Sequence, residues 1–464
     1  MPEQCAGVVE TETRLTSVLV DMEQRGVRVD PSQLKLAEVQ IISRLFEIDE
    51  ELTDLVGRPF RPHVSGDCYD VLCCQYGLPV VEWTEEDEDT GEPAGNPSFN
   101  KHALKKYLSH PYAPREVVKR ILEYRTLNQQ RNLFVAPYQE LHVDGIMHGS
   151  HNQVVRTGRL SMKAPNMQQL DKFAKDLILT RPGCSFLSAD YSQIEFRTIV
   201  HYIKDESAIA AYLADPDTDF HQWLADAIGI QRRPAKTINF MIAFGGGKKK
   251  TLTSLETNED VVKQIRDEVE RTGGGVKEFE ELCREKAEKT YRDYHDALPG
   301  IKRTSRAAAM AAEVRGYVFN LAGRRRHLPA ESAHIAFNTL NQSSAADIIK
   351  ERMVALHALL QGTDVHMVLS VHDELVLEGP SELMHDPRLV RDVTNVMEHP
   401  AIQLRVPLRV SYGVGDRSWL EAGSQELKLA YDPASCEGLQ WLRDGAGLYS
   451  HDSALERDTS DTLA

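Results

Sequence analysis

Two short acidic strings, Asp190-Tyr191-Ser192-Gln193-Ile194-Glu195 and Val371-His372-Asp373-Glu374, carry residue types that bind divalent metal. A hard cation such as Mg2+ takes oxygen ligands and is usually held by one or two carboxylates together with substrate phosphates. Asp190 and Asp373 offer such a pair. Adjacent acids such as Asp373 and Glu374 are costly unless a cation neutralises them. Between the strings runs a basic and aromatic stripe, Arg232, Lys236, Phe240 and Phe244, four residues apart. At 3.6 residues per turn these form one slowly drifting helix face. Cations at its start oppose the helix dipole, and a docked polyanion reverses that argument, because helix N-termini and Arg or Lys together bind phosphate. Solvated cations over a phenylalanine core would show the same spacing, but Pro234 near the start and Gly245-Gly246-Gly247 past the end favour the functional reading. Together the three pieces could perform metal-dependent phosphoryl transfer.

Strands must carry the two aspartates. Ser185-Phe186-Leu187 leads to Asp190 and Met367-Val368-Leu369 to Asp373, each an apolar run of strand type. His372-Asp373-Glu374 then sits at a tight reversal, where Asn-Gly or Asp-Gly would be the easier choice. Ahead of them, Asp30-Pro31 is an N-cap with proline in the first turn, and Leu34, Ile41, Leu45, Ile48, Leu52 and Leu55 recur at helical spacing until Gly57. A second helical stretch runs from Pro114 to about Phe134. The segment from His151 to Leu170 is polar and amide-rich, a loop of the kind that binds something. From Asp205 to about Ala336 the pattern is mostly helical, broken by glycine runs at 245–247 and 273–275. Val406 to Gly413 alternates like a strand, and after Trp419 the periodicity fades. Glu85 to Asp89, running into Gly91 and Pro93, reads as a solvated loop.

The chain has 464 residues, enough for two to three lobes, and no apolar run approaches the roughly 18 residues of a membrane span. Its start shows no secretion signal, which points to an intracellular protein, cytoplasmic or in a host cytoplasm if viral. Seven scattered cysteines without a CxxC pair read as free thiols; Cys68, Cys73 and Cys74 near His63 are too irregular for zinc. A net charge of −16 argues against a nucleic-acid partner until its distribution is read. Six cations and no acid lie between Gln231 and Lys250, whereas Glu421 to Ala464 holds nine acidic and three basic residues.

Asp190-Tyr-Ser-Gln-Ile-Glu195, Arg232-Arg-x-Ala-Lys-x-x-Asn-Phe240 and Val371-His-Asp-Glu374 resemble motifs A, B and C of family A DNA polymerases, the bacterial DNA polymerase I type. Thr157-Gly-Arg-Leu-Ser161, Pro165-Asn166, Gly316-Tyr317, Gly323-Arg324-Arg325, Gln342 and Ala345-Ala346-Asp347 resemble the family's other blocks, in order. The similarity runs from about Leu15 to Ala422 and covers the polymerase region alone, with a viral or phage member as one option.

The resemblance implies an α+β right-hand fold: an antiparallel palm sheet, helical fingers and a helical thumb. Residues 1–30 would begin the palm, 31–99 form the thumb, 100–205 the palm with motif A, 206–336 the fingers, 337–422 the palm with motif C, and 423–464 an acidic disordered tail. It implies template-directed addition of dNTPs to the 3'-hydroxyl of primer–template DNA by two Mg2+ ions, with Mn2+ as a substitute. Asp190, Asp373 and the Tyr191 carbonyl would hold the metals, with Glu374 beside them. Arg232, Lys236 and His221 would grip the triphosphate, and Lys236 would protonate the leaving group. Gln193, Glu195, Phe240 and Phe244 would complete the dNTP site, with Glu195 and Phe240 crowding the sugar 2' carbon. Arg159, Gln342, Asn338, His372 and Arg324 would meet primer–template.

The sequence departs from the family pattern in three places: Phe244 where tyrosine is usual, Met241 where glycine is usual, and Asn341 and Ser343 around Gln342. They bear on fidelity more than on the reaction. Asp21-x-Glu23 imitates a fragment of a proofreading exonuclease, but it lies in the helix and turn that open the polymerase region and reads as structural. The expectation is that proofreading resides on another chain; a separate exonuclease or a helicase would be a further partner. Two rivals remain. A single-subunit RNA polymerase would need the room that Glu195 and Phe240 take, and a non-catalytic DNA-binding accessory subunit would be expected to have lost one of the acids or cations.

Overall fold

The computed structural model describes residues 6–86, 93–110, 112–229, 231–243, 245–256, 258–271 and 273–429. Residues 430–464 of the expected tail, Phe244 and the side chain of Phe240 lie outside them, whereas Leu427, near the start of that tail, forms an antiparallel bridge with Tyr412.

At the centre is a four-stranded antiparallel sheet of β1 (Cys184–Tyr191), β2 (His366–Val371), β3 (Glu374–Pro380) and β4 (Val410–Gly415), in the order β2-β3-β1-β4. The two strands expected under the aspartates are therefore both present, separated by β3. Register brings Glu374 opposite Asp190 and Val410 opposite Tyr191. The last strand begins later than its alternating pattern suggested, at Val410 and not Val406. Pro407 has no N–H to give a ladder, so pairing starts beyond it.

Helix α1 (Ala6–Arg25) lies on this sheet unit, with Leu15, Val18, Leu19 and Met22 in one buried cluster with Ile348, Ile349 and Met353 of a long helix described below. Asp21 and Glu23 are structural ties, as expected. Asp21 meets His357 Nε2 at 2.7 Å, and Glu23 accepts from the backbone N–H of His151 and contacts its Nδ1 at 3.1 Å. Helix α2 (Pro31–Val56) starts and stops where its residues dictate. The Asp30 carboxylate accepts from the backbone N–H groups of Ser32 and Gln33, a cap worth about 1 kcal/mol. Gly57 closes the helix at φ 81°, a left-handed conformation that glycine adopts without penalty. Leu34, Ile41, Ile48 and Leu52 are buried as predicted, but Val56 takes the inward place expected of Leu55, which is 45% exposed.

The helical unit does not end at residue 99. Helix Lys101–Ser109 and α3 (Arg115–Gln130) pack onto α2, with Leu104, Tyr107, Val117, Val118 and Ile121 sharing a core with Ile48 and Leu52. Val71, Leu72, Leu78 and Phe99, from the segment between α2 and these helices, complete the same core. Glu85 and Glu86, expected in a loop, are instead paired with Ala94 and Pro93 in a small antiparallel hairpin. Among the described cysteines, Cys68 and Cys283 are buried as small hydrophobes, whereas Cys74 is exposed. Burial pushes the Cys68 thiol up to about 11.

The remaining helices form a second core beside the sheet. They include α4 (Ile194–Ile203), α5 (Phe220–Ile228), α6 (Arg232–Ala243) and α7 (Val276–Ala297), and a short hairpin, Tyr317–Phe319 with Arg325–His327, interrupts the helical run. Helix α8 (Ala336–Leu360) joins this core to the sheet unit: Phe337 and Leu340 belong to the first, Ile348 and Met353 to the second. Beyond it come α9 (Pro387–Glu398) and α10 (Trp419–Gly423). No described helix is long and apolar enough to cross a membrane.

Candidate functional site

Motif A ends strand β1, and its last residue enters helix α4 through Gln193, which takes left-handed backbone angles at φ 59°. Motif C forms the β2–β3 turn. Val371 pairs with Glu374, leaving His372 and Asp373 as a two-residue loop in which His372 has φ 56°. A non-glycine residue there costs of order 1–3 kcal/mol, so the turn is not chosen for ease of folding. The Tyr191 N–H donates to the Asp373 carbonyl at 3.1 Å, locking the two motifs together.

The carboxylates so assembled are short of positive charge. Asp190 Oδ1 is buried without a hydrogen-bond partner. Burial first, then the charges of Asp373 and Glu374, hold its carboxyl well above the usual range. Asp373 is raised too, chiefly by burial. An orphaned carboxylate oxygen beside a second aspartate, with only oxygen donors at hand, fits a hard divalent cation. Among the described residues no three His, Cys, Asp or Glu side chains converge as a ready-made cage.

Glu374 is differently placed. Its Oε1 accepts from Ser188 Oγ at 2.6 Å and Trp419 Nε1 at 2.5 Å, and its Oε2 meets Lys175 Nζ at 2.8 Å. Lys175 in turn sits 4.1 Å from the centroid of the Trp419 ring. Three donors already satisfy this carboxylate, so it neighbours the aspartates as a neutralised group. Nothing local in the sequence marked Lys175 or Ser188, and Trp419 stood out only as the point where periodicity fades.

The cationic stripe lies on α6 as expected, with Arg232 and Lys236 exposed and Ala235, Ile238 and Ile242 buried behind them. Arg232 pairs with Asp219, the N-cap of α5. His221, two residues on, is buried nearby; burial first and then the Lys236 charge push its imidazole down to about 4. After α6 the chain folds back with the Gly246 N–H donating to the Met241 carbonyl at 2.8 Å. A Cβ on Gly246 would lie 2.6 Å from that oxygen, so the turn requires glycine.

Glu195, half-buried at the first turn of α4, is ion-paired with Arg159. Burial raises its carboxyl despite the arginine. Arg159 and His372 line a cavity of about 180 Å3 together with Thr157, Asn166, Lys350 and Ser370. Helix α8 presents Asn338 and Gln342, both half-buried, and Asn338 Oδ1 has no partner. Asn341 is fully buried with neither end of its amide bonded.

Arg324 lies beside Gly158, next to this cavity, but its guanidinium is engaged elsewhere. It bonds both oxygens of Asp347 at 2.6 to 3.0 Å and also pairs with Glu12, which holds Lys350 at 2.6 Å. An arginine engaged by two carboxylates has fewer free N–H groups to offer a phosphate. Glu12 and Lys350 were not singled out by sequence, because their partners lie more than three hundred residues apart.

Residues 31–421 match the model of the family described as "DNA polymerase family A". The chain is 30% identical over 449 residues to DNA polymerase I of Geobacillus stearothermophilus, an alignment covering 90% of this chain and 46% of that protein. It is 30% identical over 439 residues to the thermostable DNA polymerase I of Thermus aquaticus, covering 89% and 48%. The chain thus spans about half the length of the curated relatives it matches. Among solved structures, the POL domain of Pol1 from M. smegmatis, in complex with DNA primer-template and dNTP, superposes with a TM-score of 0.72 at 25% identity, covering 89% of this chain and 70% of that one. The α+β architecture described above is that of a Pol I-type polymerase domain.

Proposed function

The chain belongs to DNA polymerase family A, and from that premise we propose that it extends a DNA primer with deoxynucleotides as a template directs. The observation that carries this reading is the buried, unpartnered oxygen of Asp190 beside Asp373, a concentration of negative charge that calls for cations. Asp190, Asp373 and the Tyr191 carbonyl would hold two Mg2+ ions, or Mn2+ in their place, which supply Lewis-acid activation of the primer hydroxyl and neutralise charge on the departing pyrophosphate.

The chain's own residues do the rest. Lys236, exposed on α6, binds the triphosphate through its ammonium group and can pass a proton from Nζ to the leaving oxygen. Arg232 joins it by exchanging Asp219 for phosphate, a fork-shaped donor suited to either partner. His221 and Gln193 complete the nucleotide site, and Glu195, half-buried at the start of α4, crowds the sugar 2' carbon together with Phe240. Arg159, Gln342 and Asn338 offer N–H donors to the minor groove. Acceptors occur there on every base pair, so such contacts test pair geometry without choosing sequence. His372 supports the primer terminus.

Asp190→Asn and Asp373→Asn are each expected to reduce primer extension by at least about 10²–10³-fold, the scale of losing a principal electrostatic stabiliser, while primer–template binding stays near the parent value. Active variants would refute the assignment. In the same assay, extension with ribonucleotides as efficient as with deoxynucleotides would favour an RNA-synthesising enzyme.

A further inference from the structure

Three helices meet behind His221. Asn239, fully buried on α6, has its amide Nδ2 3.1 Å from His221 Nδ1 on α5. Its other end, Oδ1, lies 2.9 Å from the hydroxyl of Tyr294, fully buried on α7. Burial holds the Tyr294 phenol protonated, so it has a hydrogen to give. The nearest acceptor is Asn239 Oδ1; the Asn239 main-chain oxygen is farther, at 3.4 Å. The shorter contact favours the orientation in which the hydroxyl donates to Oδ1. With Oδ1 turned to Tyr294, the –NH2 end must face the imidazole, and an –NH2 can only donate. Nδ1 is then the acceptor, and a neutral imidazole must carry its single proton on Nε2.

We propose that Tyr294 and Asn239 are positioning residues that fix His221 as a neutral donor at Nε2, aimed at the phosphates of the incoming nucleotide. The inference rests on the reading that His221 contacts the triphosphate. Burial first, then the charges of Lys236 and Arg232 on α6, disfavour a protonated ring and outweigh Asp219 before α5, which favours one. A third full cation is thus unnecessary beside Lys236 and Arg232. What the site gains from histidine is a directed N–H whose tautomer does not have to be selected when the nucleotide arrives.

The test uses the whole chain labelled with 15N at histidine, with the His221 resonances identified by their loss in His221→Gln. At neutral pH the wild type should show the Nε2–H tautomer, and Tyr294→Phe a mixture of both. Kinetically, Tyr294→Phe should raise KM for dNTP about fivefold, the scale of one hydrogen bond, with a smaller effect on kcat. In a His221→Gln background the same substitution should change KM by less than about twofold, because the tyrosine acts through the imidazole. A wild-type Nδ1–H tautomer would overturn the proposal, as would an undiminished effect of Tyr294→Phe without the histidine. If His221→Gln leaves KM unchanged, the triphosphate contact fails instead, and the tautomer signature still decides the relay.

Discussion

The carboxylates of the site are distinguished by what surrounds them. Burial raises both Asp190 and Asp373, with the charges of Asp373 and Glu374 adding to it at Asp190 and that of Glu374 at Asp373, whereas Glu374 is met by Lys175, Ser188 and Trp419. Lys175 is thus the cation that keeps a third acid beside the pair from adding fully to its repulsion. In Lys175→Met, Glu374 keeps its two neutral donors but loses its ion pair. We expect a loss of about 1–3 kcal/mol in stability, read as a lower denaturation midpoint at unchanged m-value. Mg2+ dependence of extension should shift as well, because a freed carboxylate adds negative charge next to Asp190. A variant with unaltered stability and metal dependence would show that Glu374 needs no anchor. Acidic residue types at strand ends were legible in the sequence. Which of them is neutralised was not, because Lys175 meets Glu374 across 199 positions.

Between elements, the tie of greatest consequence joins α1 to α8. Glu12 is held by Lys350 and Arg324, and Arg324 by Asp347, so one helix near the N-terminus is pinned to the helix that links both cores. Burial alone would raise the Glu12 carboxyl; the hydrogen bonds and charges of Lys350 and Arg324 outweigh it, and the group ends below its ordinary value of 4.5. A carboxylate depressed in the folded state contributes stability that is present above its unfolded value and lost as pH falls through the folded one. Glu12→Gln should therefore lower stability at neutral pH and flatten its decline below about pH 4.5. Denaturant midpoints measured across that range test it, and an acid limb as steep as the parent's would refute it. Helix α2 shows the opposite case, where cap, proline, periodicity and terminal glycine are all local and the predicted bounds match. The hairpin around Glu85 and Glu86 shows where local reading fails, since acidic composition does not reveal that a partner strand follows.

Over the whole molecule, a net charge of −16 coexists with a proposed polyanionic substrate. Cations count only where phosphates approach, so binding should still weaken with salt. The association constant for primer–template is expected to fall linearly on logarithmic axes, with a slope of about −0.9 for each phosphate contacted on duplex. A slope near zero would remove the electrostatic contact. The sequence by itself determined the chemistry at this scale: two acidic strings at strand ends, a cationic helix face between them, and ordered blocks that resemble one family. These follow from periods of two and 3.6 residues and from residue types, both written along a short stretch of chain. Only the tertiary structure decided which charges meet. It set Arg159 against Glu195, withdrew Arg324 into an internal network with Glu12 and Asp347, and stacked Tyr294 and Asn239 behind His221. Such pairings depend on how distant helices and strands pack, and a hydrogen bond requires a match in distance and direction that no local period encodes.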